Sequence, residues 1–128
     1  MPGTAVLPDQ KTKRILIIED EGEMCLILNM ILDSKDMELD HVKTLQSASE
    51  YLQKQNPSVV ILDNQLPDGL GVDFINYLKL YHPQVRIIMI SGYGASAKDI
   101  ALENGADAFL EKPFTREQIY NTIERLLS

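Results

Sequence analysis

Residues 59–71 read VVILDNQLPDGLG. Four consecutive apolar side chains, Val59, Val60, Ile61 and Leu62, suit a strand covered on both faces, as the inner strands of a parallel sheet are. The run stops at Asp63 and passes into Leu66-Pro67-Asp68-Gly69, a turn sequence. A buried strand therefore carries a carboxylate at its carboxyl end. Two further segments have the same character, Ile15–Ile18 (ILII) and Ile87–Ile90 (IIMI). Met37–Val42 (MELDHV) alternates only in part and is expected at a sheet edge. Ala108–Leu110 is expected as the last strand.

Between these strands the apolar period becomes helical. Met24, Leu28, Ile31 and Leu32 follow the i, i+4, i+7, i+8 pattern, and so do Ile119, Ile123, Leu126 and Leu127. Leu45, Ala48 and Leu52 form a weaker stripe. Phe74, Leu78 and Tyr81 form another, and Ala97, Ile100 and Ala101 a third. Asn56-Pro57 and His82-Pro83 stop helices before strands, Thr115-x-x-Gln118 is a capping box, and Asn104-Gly105 suits a helix end. Five strand–helix repeats imply an α/β three-layer sandwich with right-handed crossovers. The edge-like second strand favours a five-stranded parallel sheet of order 2-1-3-4-5, the flavodoxin-like arrangement, in which ligands bind beyond the carboxyl ends of the strands.

The bulk properties agree with one such domain. The chain has 128 residues, 45% of them apolar, a formal net charge of -7 and one cysteine, Cys25. That length supports a single core without disulfides. The negative charge argues against a direct nucleic-acid or anionic-membrane surface. Met1 to Lys13 reads as a loose tail ahead of a domain spanning 14–128. It lacks the apolar stretch of a signal peptide, and no segment is long enough to span a bilayer, so a cytoplasmic setting is expected.

The strand ends carry the chemistry. Strand one runs into Glu19 and Asp20, strand three into Asp63, strand four into Ser91 and strand five into Lys112. In the order 2-1-3-4-5 the first and third strands are neighbours, about 4.8 Å apart, so Asp20 and Asp63 nearly touch with Glu19 beside them. Two unit charges at about 4 Å repel by roughly 4 kcal/mol at an effective dielectric near 20. Either one carboxyl holds a proton or a cation neutralises the group. Donors that are all hard oxygens, with no His or Cys among them, select Mg²⁺, with Mn²⁺ as the other choice, over zinc or copper. Ser91 and Lys112 across the same edge suit an anion. Together these groups can stabilise a transferring phosphoryl group, with Asp63 as nucleophile and an acyl phosphate as product.

Gly92-Tyr93-Gly94-Ala95-Ser96-Ala97 matches a dinucleotide fingerprint between a strand and a helix. The chain after Glu111 is too short to complete a mononucleotide unit, so that reading fails.

In order and spacing, ILIIEDE (15–21), VVILDNQLPDGLG (59–71), IIMISGYG (87–94) and FLEKPFT (109–115) resemble the motifs of response-regulator receiver domains of two-component signalling. The resemblance implies Asp63 as the phosphoacceptor, becoming 4-aspartylphosphate. It implies Asp20, Glu19 and the backbone carbonyl of Gln65 as further Mg²⁺ ligands beside Asp63. Ser91 and Lys112 would grip the phosphoryl oxygens, Lys112-Pro113 would be cis, and Ser91 with Phe109 would form the switch. Glu19, Ser91 and Phe109 stand where Asp, Thr and Tyr are common. Gln65 and Tyr93 match positions that tune phosphoryl lifetime.

The implied partner is a sensor histidine kinase or phosphotransfer protein, with no separate substrate turnover. The implied output face comprises the helix around Ala97–Ala101, the last strand and the last helix, through which a homodimer can form on phosphorylation. The rival expectation is a receiver-like docking or dimerisation module that works without phosphorylation. Singly, His41 and His82 read as ordinary surface or edge residues.

Overall fold

The computed structural model describes residues 13–22, 26, 37–92 and 95–128. Five strands, β1 (Lys13–Ile18), β2 (Met37–Val42), β3 (Val59–Asp63), β4 (Arg86–Ser91) and β5 (Ala108–Glu111), form one parallel sheet. Their order is β2-β1-β3-β4-β5, as the edge character of MELDHV implied. Strand β1 opens at Lys13, two residues before the expected Ile15, because Lys13 pairs with Met37 and Arg14 with Glu38. A short antiparallel ribbon, Gln65–Leu66 against Gly69–Leu70, follows β3 and was not foreseen.

Four helices are described: α1 (Leu45–Lys54), α2 (Gly71–Tyr81), α3 (Ala95–Glu103) and α4 (Arg116–Leu127). Thr44 caps α1 by accepting from the Ser47 amide at 3.0 Å. Thr115 and Gln118 cap α4 reciprocally, the box expected there. Each cap satisfies amides that have no partner within the helix. Gly105, at a φ of +109°, follows α3, so the Asn104-Gly105 helix end is present. The apolar stripe Met24, Leu28, Ile31, Leu32 lies outside the described residues, as do Cys25 and Tyr93.

The strict alternation of side chains along each strand divides the core in two. Leu16, Ile18, Val60, Leu62, Ile87 and Met89 face α1 and α2, with Ala48, Leu52, Phe74, Ile75 and Leu78 packed against them. Ile15, Ile17, Val59, Ile61, Ile88 and Ile90 face the other way, against Ile119 and Ile123 of α4. Residues 15–18, 59–62 and 87–90 are almost wholly buried. At roughly 1.5–3 kcal/mol per large apolar side chain removed from water, these three strands contribute a large share of the burial among the described residues.

Two helical stripes need correction. Tyr81 is 64% exposed rather than facing the sheet, and α2 buries Phe74, Ile75 and Leu78 instead. The Tyr81 ring packs beside Tyr77 at 5.1 Å, outside the core. Ile100 is likewise 48% exposed, and α3 turns its small Ala101 inward. A helix lying close to the sheet needs a small residue at the point of approach, and that rotates the larger neighbour outward.

The strand ends are held beyond the ladder itself. The Asn64 amide donates to Ile90 O at 3.2 Å, the Lys112 amide to Ser91 O at 2.8 Å, and the Glu19 amide to Val42 O at 3.1 Å. Each acidic or basic tip is thus tied to the neighbouring strand. Lys112-Pro113 is cis, as the motif implied.

Candidate functional site

Asp63 ends β3 with only 4% of its surface exposed. The stiffness of VVIL explains its placement, and a glycine explains its local path. The Gly71 amide donates to Asn64 O at 2.7 Å, and a Cβ at Gly71 would lie 2.2 Å from Asp63 O. Asn64 closes the same turn, its Oδ1 accepting from the Val72 amide at 3.1 Å. The ribbon and the start of α2 therefore pass directly against the back of Asp63.

Around that carboxylate the strand ends converge. Register pairs Ile18 with Leu62, so the residues following β1 stand beside Asp63. Glu19, Asp20 and Asp63 offer carboxylate oxygens that all lie within 4.8 Å of one another, Asp20 exposed and the other two buried. Directly after β5, Lys112 Nζ reaches Asp63 Oδ2 at 3.1 Å and Glu21 Oε1 at 3.5 Å. The Gln65 amide donates to Asp63 Oδ1 at 3.4 Å. Asp20, Glu21, Asp63, Gln65, Ser91, Gly92 and Lys112 line one open cleft of about 560 Å³, with Ser91 almost fully buried in its wall. That space has room for a hydrated cation and a phosphoryl group together, since one water occupies about 30 Å³.

The electrostatics are unbalanced without a cation. Lys112 neutralises one of several carboxylates. Burial works against its charge, yet the hydrogen bond and charge of Asp63, with Glu21 behind, outweigh this and hold its pKa above the usual value. Glu19 is fully buried, and burial pushes its carboxyl above the usual range, partly offset by the Glu21 amide, which donates to Oε2 at 2.7 Å. Oε1 of Glu19 has no hydrogen-bond partner among the described residues. A buried carboxylate oxygen with no donor among the described residues, next to two more carboxylates, is a group that a hard divalent ion satisfies. The donor set thus fits Mg²⁺ or Mn²⁺.

Each expected site residue is accounted for. Glu19, Asp20, Asp63, Ser91, Lys112 and Gln65 meet at one cleft. Phe109 stands apart from it, half-buried on β5 opposite Met89 and packed against the core on the α1–α2 side. Four participants escaped the sequence reading. Gly71 and Asn64 set the turn. Asp68 reaches α1, accepting from the Leu45 and Gln46 amides at 2.9 and 3.0 Å. His41 bonds the Glu19 carbonyl through Nε2 at 2.8 Å, which corrects its reading as an ordinary edge residue. Asp68-Gly69 was legible as a turn. Nothing in the sequence linked His41 to Glu19, 22 positions away.

Comparison with known proteins gives a consistent result. Residues 15–124 match the response regulator receiver domain family. The chain is 32% identical over 102 residues to the response regulator protein PilR of Pseudomonas aeruginosa, covering 79% of this chain and 23% of PilR. It is 35% identical over 100 residues to the KDP operon transcriptional regulatory protein KdpE of Escherichia coli, covering 78% of this chain and 44% of KdpE. The chain therefore spans less than half the length of either relative. Among solved structures, the beryllofluoride-activated NtrC4 receiver domain dimer superposes with a TM-score of 0.84 at 35% identity, covering 90% of this chain and 96% of that one.

Proposed function

The chain belongs to the response regulator receiver domain family, and from that premise we propose that Asp63 is its phosphoacceptor, taking a phosphoryl group from a histidine kinase or a phosphotransfer protein. The observation that carries this reading is the placement of Asp63. It is nearly buried at a rigid strand end, with Lys112 Nζ at 3.1 Å and two further carboxylates within 4.8 Å.

Transfer forms a bond from an Asp63 oxygen to phosphorus as the donor's phosphorus–nitrogen bond breaks, leaving an acyl phosphate and a free imidazole. Lys112 stands where it neutralises charge on the arriving group, and the Ser91 side of the cleft faces the same space. Glu19, Asp20, Asp63 and the Gln65 carbonyl would hold Mg²⁺. When bound, the ion offsets the charge that builds up as the phosphoryl group meets the carboxylates. Holding these groups before the donor arrives is the protein's main contribution, since phosphoryl transfer depends mostly on positioning and charge neutralisation.

The output runs from Ser91 and Phe109 to the face made by α3, β5 and α4. Ile100 and Tyr120 expose apolar surface on two of these elements, at 48% and 41%. That surface, and the dimeric state of the activated NtrC4 receiver domain, support a homodimer as one consequence of phosphorylation. The new charge beside Lys112 supplies the differential contact that any population shift requires. No helix among the described residues is long and apolar enough to cross a membrane, and the site works in the cytoplasm on this reading. Retention of the full acidic cluster with its lysine tells against a docking module that works without phosphorylation.

The test is incubation of the chain with acetyl phosphate, or with beryllofluoride, in the presence and absence of Mg²⁺. A Mg²⁺-dependent mass gain of one phosphoryl group, lost in Asp63→Asn, is expected. A gain that persists in Asp63→Asn, or none in the wild type, defeats the assignment.

A further inference from the structure

Glu19 is held by the edge strand from two directions. Its amide donates to Val42 O at 3.1 Å, and its carbonyl oxygen lies 2.8 Å from Nε2 of His41. A carbonyl oxygen can only accept, so Nε2 must carry the hydrogen, and the tautomer of His41 is set whatever its charge. The same Nε2 is 3.4 Å from Oε1 of Glu19, the buried oxygen that has no hydrogen bond among the described residues. His41 itself is only partly exposed, so water competes weakly for that N–H.

A fully buried carboxylate on a strand end would otherwise have one fixed oxygen, Oε2 on the Glu21 amide, and one free to turn. The positive end of the His41 N–H dipole limits that freedom from the side of β2. It also locks the peptide from which the side chain springs. We infer that His41 is a positioning residue for the cation: it holds Glu19 in the orientation that meets the ion together with Asp20 and Asp63. Partners of this kind behind a ligand typically change metal affinity by about 10- to 100-fold when removed. The effect comes from orienting the ligand, with no contact between His41 and the ion. The inference rests on the cation reading of the acidic cluster.

The experiment is a calorimetric titration of the full chain with Mg²⁺ alone. His41→Leu keeps the bulk and removes the donor, while His41→Gln keeps an amide N–H within reach of the same carbonyl. His41→Leu should weaken Mg²⁺ by roughly tenfold, and His41→Gln should recover most of the loss. In the wild type, the nitrogen resonance of His41 Nε2 should move as Mg²⁺ is added, a readout that requires no variant to fold. Unchanged affinity in His41→Leu overturns the inference, as does an equal loss in both variants or an Nε2 resonance indifferent to Mg²⁺. A wild-type chain that takes up no Mg²⁺ overturns the cation site as well, whereas normal wild-type binding with an indifferent His41 overturns this inference alone.

Discussion

Replacing Gly71 with alanine tests whether the path of the chain behind Asp63 is as tight as it looks. The new Cβ would sit 2.2 Å from Asp63 O and 3.1 Å from both Asp63 C and Asn64 Cα. Carbon contacts are comfortable at about 3.5–4.0 Å, so one backbone must retreat by more than about 1 Å. No side-chain rotamer can absorb this, because every atom met is main chain. The retreat also strains the Gly71–Asn64 hydrogen bond at 2.7 Å. Overpacking that side chains can relieve costs about 1–3 kcal/mol, so a backbone collision belongs at the top of that range, about 3 kcal/mol. With an unfolding entropy of roughly 2.1 cal/mol/K per residue over the chain, this corresponds to a melting temperature lower by about 11 °C. The displaced atom is the carbonyl of the proposed phosphoacceptor, and a shift of about 1 Å there should slow acetyl phosphate labelling by roughly 100-fold. Thermal and urea unfolding of Gly71→Ala, beside Gly92→Ala, whose Cβ would meet nothing within 4 Å, measure the first effect, and a labelling time course the second. Unfolding of Gly71→Ala within about 0.5 kcal/mol of wild type, the range of neutral surface changes, would refute the reasoning.

Lys112→Met should destabilise the Mg²⁺-free chain by about 2 kcal/mol, the scale of a hydrogen bond to a charged group, because Asp63 loses its 3.1 Å partner; added Mg²⁺ should recover much of this. Equal loss with and without Mg²⁺ in urea titrations would count against a shared role for lysine and cation. Tyr51 donates to Asp40 Oδ2 at 2.5 Å, and burial followed by that bond pushes its hydroxyl up to about 12. Its folded value lies above the unfolded one, so the stability it contributes is complete below about pH 10 and is lost as pH rises towards 12. An ultraviolet phenolate titration should show this late step, and Tyr51→Phe should remove it. Asp68 is held below the usual carboxylate range by the amides of Leu45 and then Gln46. Its contribution is therefore present above the ordinary Asp range and is lost as pH falls through the lowered value. Melting temperatures should fall less steeply with acid in Asp68→Asn than in wild type, and identical acid limbs would exclude a role for these bonds.

The strands that build the floor of the site were legible because their signal is local. ILII, VVIL and IIMI each say that both faces are covered, and the weaker pattern of MELDHV says edge, so the order β2-β1-β3-β4-β5 followed without any contact being known. The convergence of Asp20, Asp63, Ser91 and Lys112 then came from topology, because parallel strands deliver all their carboxyl ends to one side of the sheet. Helix faces were less legible. Tyr81 and Ile100 fit an apolar stripe by spacing, yet the stripe says only that a face exists; the depth of helix packing turned Ile75 inward in place of Tyr81, and of the Ala97, Ile100, Ala101 stripe it buried Ala101 while leaving Ile100 exposed.

The sequence by itself determined which residues are apolar on two sides, where helices begin and stop, and which polar groups end the strands, since these depend on backbone geometry repeated every two or 3.6 residues. Only the tertiary structure decided that His41 would meet Glu19, that Asp68 would cap a helix 22 positions earlier, and that Gly71 would press on Asp63. Such pairings depend on how far one strand slides along its neighbour and on how a turn crosses behind it. A slip of one residue between β1 and β2 would move His41 away from Glu19 while leaving the composition of the apolar runs unchanged.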